Sequence, residues 1–488
     1  MDYSSFVDQL NQEVSSGNSF IVQKKLKSLN LKQVPRRFRV PLANLSWRSG
    51  IPYWGMKLMA PVMMSEQAQA RDDATAIEQI EYSLLLQKIG SISEALLRLS
   101  KINSEKNPKT LLYRAFCHFS LWESDQAGPV LEKYINENSL SLNDQLVGEV
   151  NLLAAYIGAQ QFEKATELSN SLQESLKTNQ KTKLLGNVFE LKAQIDIYNN
   201  DLKSAENNLE QSRLYLLNDT SASSLFLKKW SAYLEAYKVN DVEPLLRFKK
   251  EAQKAQHSET LRDVDMLLLK INFDKKLFKR LIYGTPYESF HNRAKAFLGI
   301  DLPFQETEQL GESQNILNLQ KGTLNEKAII NPGKDIHKLL YTLCSDLYRP
   351  WSLGALHEKL WPDEYFNVFS SPNKIHQLVH RTKSLIKDNK LKLKIESSEL
   401  TYSMNTEKQS LILDLNKKTP DFNEFLLEKI KNHFSEEEFT SKDVRKEFNY
   451  SKSSLQRFFQ WCEDENRLIV KKSGKVFYYQ FQNNKKSA

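Results

Sequence analysis

The side chains with the most chemistry to offer lie late in the chain, in SSPNKIHQLVHRTKSLIKD, residues 370–388. On a helix turning 100° per residue, Ile375, Leu378, Val379, Thr382, Leu385 and Ile386 share one face. Asn373, Gln377, His380 and Ser384 lie opposite, with Arg381 and Lys383 on the flanks. That mixture suits recognition rather than bond-making. Asn or Gln can bond in pairs to the edge of adenine and Arg to guanine, while Lys383 and Lys387 can reach phosphates. The competing reading is an ordinary solvated face, which would more often be richer in Glu and Lys.

Such a helix reads anything only if other elements hold it. KDIHKLLYTLCSDLY is amphipathic, RPWSLGALHEKLWPDE gives a turn, a Ser352 N-cap and a second helix, and Asn373 to Lys387 form the third. LKLKIESSELTYSMN then alternates like a β-hairpin. Three helices and a hairpin are the order of a winged helix-turn-helix. DFNEFLLEKIKNHF, TSKDVRKEFN, SKSSLQRFFQWCEDENRLI and VKKSGKVFYYQF repeat that order, with Ser451 capping the third helix and Gly474 at a lysine-flanked tip. There Leu455, Phe458, Phe459 and Cys462 face inward and Ser453, Gln456, Arg457 and Gln460 outward. Lys471, Lys472 and Lys475 decorate the hairpin where phosphates would lie. Both units are expected to complete their cores locally, so a fragment beginning near Lys334 should bind duplex DNA unaided.

The segment 334–405 resembles the C-terminal DNA-binding domain of OmpR-type response regulators. Arg349, Pro350, Ser352, Leu356, Leu360 and Trp361 match its RPxSxxxLxxxLW stretch, HRTKSLI stands where the family has SRLRKKL, and Tyr402 takes the place of the wing tyrosine. The resemblance implies that the third helix enters the major groove. The hairpin departs from the family, for Glu396 and Glu399 occupy a tip that is usually basic or glycine-rich, and no receiver domain precedes it. SKSSLQRFF is similar to the recognition helix of many bacterial winged-helix regulators.

Upstream, LLLQKIGSISEALLRL, FSLWESDQAGPVLEKYI, YIGAQQFEKATELSNSL and IYNNDLKSAENNLEQS each give an apolar helix, a polar turn and a small residue opening a second helix. Ala95, Ala127, Ala165 and Ala205 mark the same place in each, 32, 38 and 40 residues apart. A small residue there lets two helices cross closely. The pattern resembles the tetratricopeptide repeat (TPR), although its spacing departs from that family's period of about 34. Stacked pairs would form a solenoid whose concave side can receive a peptide or partner domain. Phe116, Trp122, Tyr156, Tyr198 and Trp230 read either as core or as part of that surface.

The expected architecture is therefore mainly α, an α-solenoid of TPR-like helix pairs followed by two tandem winged-helix domains (α+β). Residues 1–70 read as an N-terminal helical cap, 71–300 as the repeat domain, 301–333 as a linker or short β segment, 334–415 and 416–488 as the two winged helices. The segment 334–488 carries 27 Lys and Arg against 21 Asp and Glu, which is +6 of the chain's +8. Three scattered cysteines suggest neither a disulfide framework nor a zinc site. NPGKD lacks the Walker spacing, HEKLW lacks a second His, and no nucleophile elbow or Cys/His pair appears. Neither enzyme nor cofactor is expected. With no signal-peptide pattern and no long apolar run, the expectation is a cytoplasmic protein without a membrane partner. A DNA-binding transcription regulator follows, with duplex DNA and a protein or peptide on the repeats as partners. Homodimerisation stays open. The alternatives are an interaction scaffold whose winged helices contact proteins, as in the eukaryotic PCI architecture, and more distantly an RNA-associated adaptor.

Overall fold

The computed structural model describes residues 2–63, 74–216, 222–300, 304–415, 421–435, 437–474 and 476–481. These are mainly helical, with small sheets confined to 307–481. Four helices open the chain, Tyr3–Ser15, Ser19–Lys27, Arg36–Arg48 and Pro52–Met63, around Leu10, Val22, Leu26, Leu42, Leu45 and Leu58. Polar contacts fasten them to the fifth helix, Ala76–Lys88. Arg36 forks onto Glu78 through two contacts of 2.7 Å, and the Trp47 indole donates to Glu81 at 3.0 Å.

Five helix pairs come next: Ala76–Lys88 with Ile92–Ser100, Lys109–Ser120 with Ser124–Ile135, Leu142–Gly158 with Phe162–Thr178, Thr182–Tyr198 with Leu202–Leu216, and Ala222–Val239 with Glu243–Lys254. Each pair turns on one left-handed residue: Gly90, Trp122, Gln160, Asn200 and Asn240, with φ of 87°, 65°, 59°, 61° and 50°. In every case the amide after it reaches back to a carbonyl five residues earlier, closing the end of the first helix. Five positions after each turn residue stand Ala95, Ala127, Ala165, Ala205 and Leu245, all 0 % exposed. In the first four pairs a small residue is thus buried at the start of the second helix, where the sequence pattern required it; in the fifth a leucine takes the place.

After Ser258–Ile271 and Lys275–Tyr283, the helix Glu288–Leu298 lies against several pairs at once. Phe290 meets Trp122 edge-on at 5.0 Å between centroids, and Phe297 lies 5.2 Å from Tyr198 and 6.1 Å from Tyr233. Of the aromatics that read either as core or as surface, Trp122 and Tyr198 thus pack against the chain's own helix. A left-handed Trp costs about 1–2 kcal/mol. Its indole offsets this through Phe290 and through donation to Glu259 at 3.1 Å.

Segment 304–333 is more than a linker. Strands Thr307–Leu310, Ile316–Asn318, Thr323–Leu324 and Lys327–Ala328 join Ser410–Asp414 in one sheet, in which 410–414 lies between 307–310 and 316–318. The far strand comes from after the hairpin, so local composition could not show the pairing. The sheet packs on the helix Asp335–Ser345, where the His337 ring meets the Leu319 carbonyl at 2.5 Å and the Tyr341 hydroxyl donates to Asp414.

Between these strands run Trp351–Ser352, the helices Leu353–Leu360 and Ser371–Asp388, and the hairpin Lys394–Ser398 with Thr401–Asn405. The short strand pairs with the last one, Trp351 opposite Tyr402. The second unit has the same order: Phe422–Phe434, Phe439–Thr440, Ser441–Phe448, Lys452–Asp464, then Leu468–Ser473 with Val476–Phe481. Here Tyr479 pairs with Phe439. The two units differ in how their cores close. Leu426, Ile430, Phe458, Phe459 and Tyr479 belong to a core of their own, whereas Leu356, Ile375 and Leu378 share one continuous core with the repeats. The expectation that both complete their cores locally is corrected for the first. Its second helix carries apolar surface on two sides, one toward its own unit and one toward residues 89–95.

Candidate nucleic-acid interface

The third helix of the first unit forms because Pro372 begins it and an apolar stripe seats it. Ile375, Leu378 and Thr382 are buried, the Thr382 hydroxyl donating to the Leu378 carbonyl at 2.9 Å. His376 ties the helix to the last strand through the Tyr402 hydroxyl at 2.6 Å. Lys374 is taken up by Glu364 at 2.7 Å and lies 3.8 Å over the Trp361 ring.

Asn373, Gln377, His380, Arg381, Lys383, Ser384 and Lys387 are all exposed. Of these, only Ser384 and His380 share a hydrogen bond, from the Ser384 hydroxyl to the His380 carbonyl at 3.3 Å. The side chains of Asn373, Gln377 and Arg381, four residues apart, enter no hydrogen bond or ion pair among the described residues. They form one stripe of unengaged donors and acceptors.

The second unit is more occupied. Ser453, Gln456, Arg457 and Gln460 are exposed on its third helix, and Leu455, Phe458, Phe459 and Cys462 are buried beneath. Gln460 donates to Asp464 at 3.0 Å, and burial, with the Arg457 charge adding to it, holds the Lys334 amine below the usual lysine range. Lys471 is ion-paired with Glu438, and Lys472 stands 5.5 Å over the Phe477 ring. Gly474 sits in a left-handed turn at the hairpin tip, with φ 61°. Lys475 lies outside the described residues. Glu396 and Glu399 of the first hairpin are exposed.

Sequence reasoning missed the contacts that seat the first unit on the repeats. Glu358 accepts both the backbone N–H and the hydroxyl of Ser93, each at 2.8 Å. Glu94 accepts the Phe366 N–H at 2.9 Å, and Ser352 donates to the Ile89 carbonyl at 2.5 Å. Gly354 gives its N–H to the Tyr53 hydroxyl at 3.2 Å, and a Cβ there would stand 2.4 Å from the Ile89 oxygen. Deeper in, Arg262 forks onto Asp346 at 2.8 and 2.7 Å, and Tyr348 donates to Asp265 at 2.7 Å. Burial pushes the Asp263 carboxyl up, but Lys229 and Arg293 outweigh it and hold the group below its ordinary range. The available signal was LRDVD, three charges within five residues just before the apolar run MLLL.

Among the described residues no cluster of His, Cys, Asp and Glu could hold a metal, and no helix is long and apolar enough to cross a membrane. No protein-family model matches the chain, and no curated protein matches it either.

Proposed function

We propose that the chain is a DNA-binding transcription regulator whose TPR-like repeats carry two tandem winged helices, the first of the OmpR type. One observation carries this reading. The third helix of a helix–strand–helix–helix–hairpin unit keeps Asn373, Gln377 and Arg381 exposed and unengaged while the repeats are docked on the helix before it. Those groups have the chemistry to pair with base edges in a major groove. Lys383 and Lys387 flank them for phosphates. Catalysis has no comparable support.

The scaffold reading is favoured at one point, the acidic hairpin tip of the first unit, which would repel a phosphate backbone. A genomic pull-down with the full-length protein, followed by salt titration on the captured duplex, separates the two. Regulation predicts enrichment of discrete sites and an affinity that falls roughly tenfold or more between low and physiological salt. Absent or salt-independent binding overturns it.

A further inference from the structure

A groove of about 580 Å³ opens where the four N-terminal helices meet the first two helix pairs. The helices Arg36–Arg48 and Ala76–Lys88 and residues 107–113 supply most of its walls. Its size is that of a small-molecule site, and junctions between packed units are where such sites concentrate.

Much of the wall is apolar. Ile80 is buried, Val40, Pro41 and Pro108 are half-buried, and Ile77 stands 63 % exposed. Set among them is one carboxyl. Glu81 is only 5 % exposed and takes hydrogen bonds from the Trp47 indole, at 3.0 Å, and from the Asn44 side chain. Both donors are neutral. Burial accordingly pushes the Glu81 carboxyl up to about 7, with these two donors opposing it and the Lys109 charge the weakest of the opposing influences. Glu78, three residues earlier, has the two-pronged Arg36 as its cation; Glu81 has no such partner among the described residues.

The groove's own cation is also unanswered. Lys109 lines it, is exposed, and enters no ion pair among the described residues. The Tyr113 hydroxyl enters no hydrogen bond among them, and its phenol is pushed up by burial and, next, by its nearness to Glu81. One wall thus offers a carboxylate without a close cation, a cation without a close anion, and apolar surface beside both.

We propose that the groove binds a free α-amino acid with an apolar side chain, its ammonium on Glu81, its carboxylate on Lys109 and the Tyr113 hydroxyl, and its side chain against Ile77, Ile80 and Pro108. A simple amine would be repelled by Lys109 and a simple anion by Glu81, whereas a zwitterion answers both charges. Because the walls belong to the N-terminal helices and to the repeats, an occupant stabilises their packing in proportion to its saturation. Nothing in the proposal depends on the DNA reading.

The test is calorimetric titration of the full chain at about pH 8, where Glu81 is ionised. The probes are L-phenylalanine, phenethylamine, which lacks the carboxylate, 3-phenylpropanoate, which lacks the ammonium, and glycine, which lacks the side chain. L-phenylalanine is expected to saturate the site with a Kd of about 1 mM or below, and each of the other three to bind at least roughly tenfold more weakly. Glu81→Gln keeps an acceptor for Trp47 and should weaken L-phenylalanine about tenfold while leaving 3-phenylpropanoate no weaker. Lys109→Gln should weaken L-phenylalanine about tenfold while leaving phenethylamine no weaker, and because Lys109 is exposed that loss cannot be put down to misfolding. No saturation by about 10 mM, any of the other three probes binding as tightly as L-phenylalanine, or L-phenylalanine binding indifferent to either variant overturns the proposal.

Discussion

Arg262 and Asp346 stand 84 residues apart in the chain and meet as a two-pronged ion pair in which both side chains are almost wholly buried. One belongs to a helix that follows the repeats, the other to the turn after the first helix of the proposed DNA-reading unit. Removing one partner leaves a buried charge alone. Arg262→Met should cost about 3–5 kcal/mol in urea unfolding, and adding Asp346→Leu should recover much of it. Equal loss in the single and double variants would mean that packing, not charge, holds this junction.

Gly354→Ala probes the same junction from its outer edge. The added methyl would stand 2.4 Å from the Ile89 carbonyl oxygen, a backbone atom that cannot swing aside. Hydrogen exchange should quicken at 89–95 and 353–370 while 421–481 stays protected. Unchanged exchange in both regions would show that the contact yields without undocking.

Fragments should divide by where their cores end. Residues 416–488 are expected to give dispersed amide resonances alone, since their core is separate. Residues 304–415 without the repeats should bind hydrophobic dye or precipitate, because their second helix loses the surface that covers it. A well-dispersed spectrum from 304–415 would contradict the shared core.

On DNA, Gln377→Ala and Arg381→Ala should each cost about 1–3 kcal/mol at a preferred site and little on random duplex, whereas Lys387→Ala should weaken both alike. Replacing Lys471, Lys472 and Lys475 together should flatten the salt dependence on every sequence without moving the preferred site. The Glu438 pair of Lys471 must open first, so that residue should contribute less than a free lysine. Footprints in which all six positions behave alike would mean that the helix Ser371–Asp388 does not read sequence.

Glu190 gives a pH test. Burial pushes its carboxyl up to about 7, with Lys229, Gln194 and Trp230 opposing and Asp263 adding to the rise. Its stabilisation is therefore complete below the unfolded value of about 4.5 and lost as pH rises through about 7. His257, His337 and His357, all held low by burial, slope the other way up to about 6.5. The readout is accordingly the difference between the wild type and Glu190→Gln. Relative to the glutamine form, the wild type should lose up to about 3 kcal/mol between pH 4.5 and 7.5. A constant difference across that range would refute the shift.

Much of the local structure was legible from spacing. The buried Ala95, Ala127, Ala165 and Ala205 stood out by their repeat, and the inward Ile375, Leu378 and Val379 by helical period. Both signals are local, and local periodicity is what a sequence displays directly. Partnerships across the chain were not legible in that way. Ser410–Asp414 pairs with strands about a hundred residues earlier, and Ser93 with Glu358, because tertiary packing chose them and no spacing rule connects them. Of the proposed interface, the exposed stripe on the third helix was readable. That its neighbouring helix leans on the repeats was not, since Gly354 looks like any small residue until its facing carbonyl is known.

The helix Glu288–Leu298 bears on the history open to this protein. An open array of helix pairs can gain or lose a unit by duplication, because each unit meets only its neighbours. Here one helix is keyed to Trp122 in the second pair, Tyr198 in the fourth and Tyr233 in the fifth. Inserting or deleting a pair between them would slide those teeth out of their notches. Relatives should therefore keep the number of pairs between Trp122 and Tyr233 and vary in length only outside that interval.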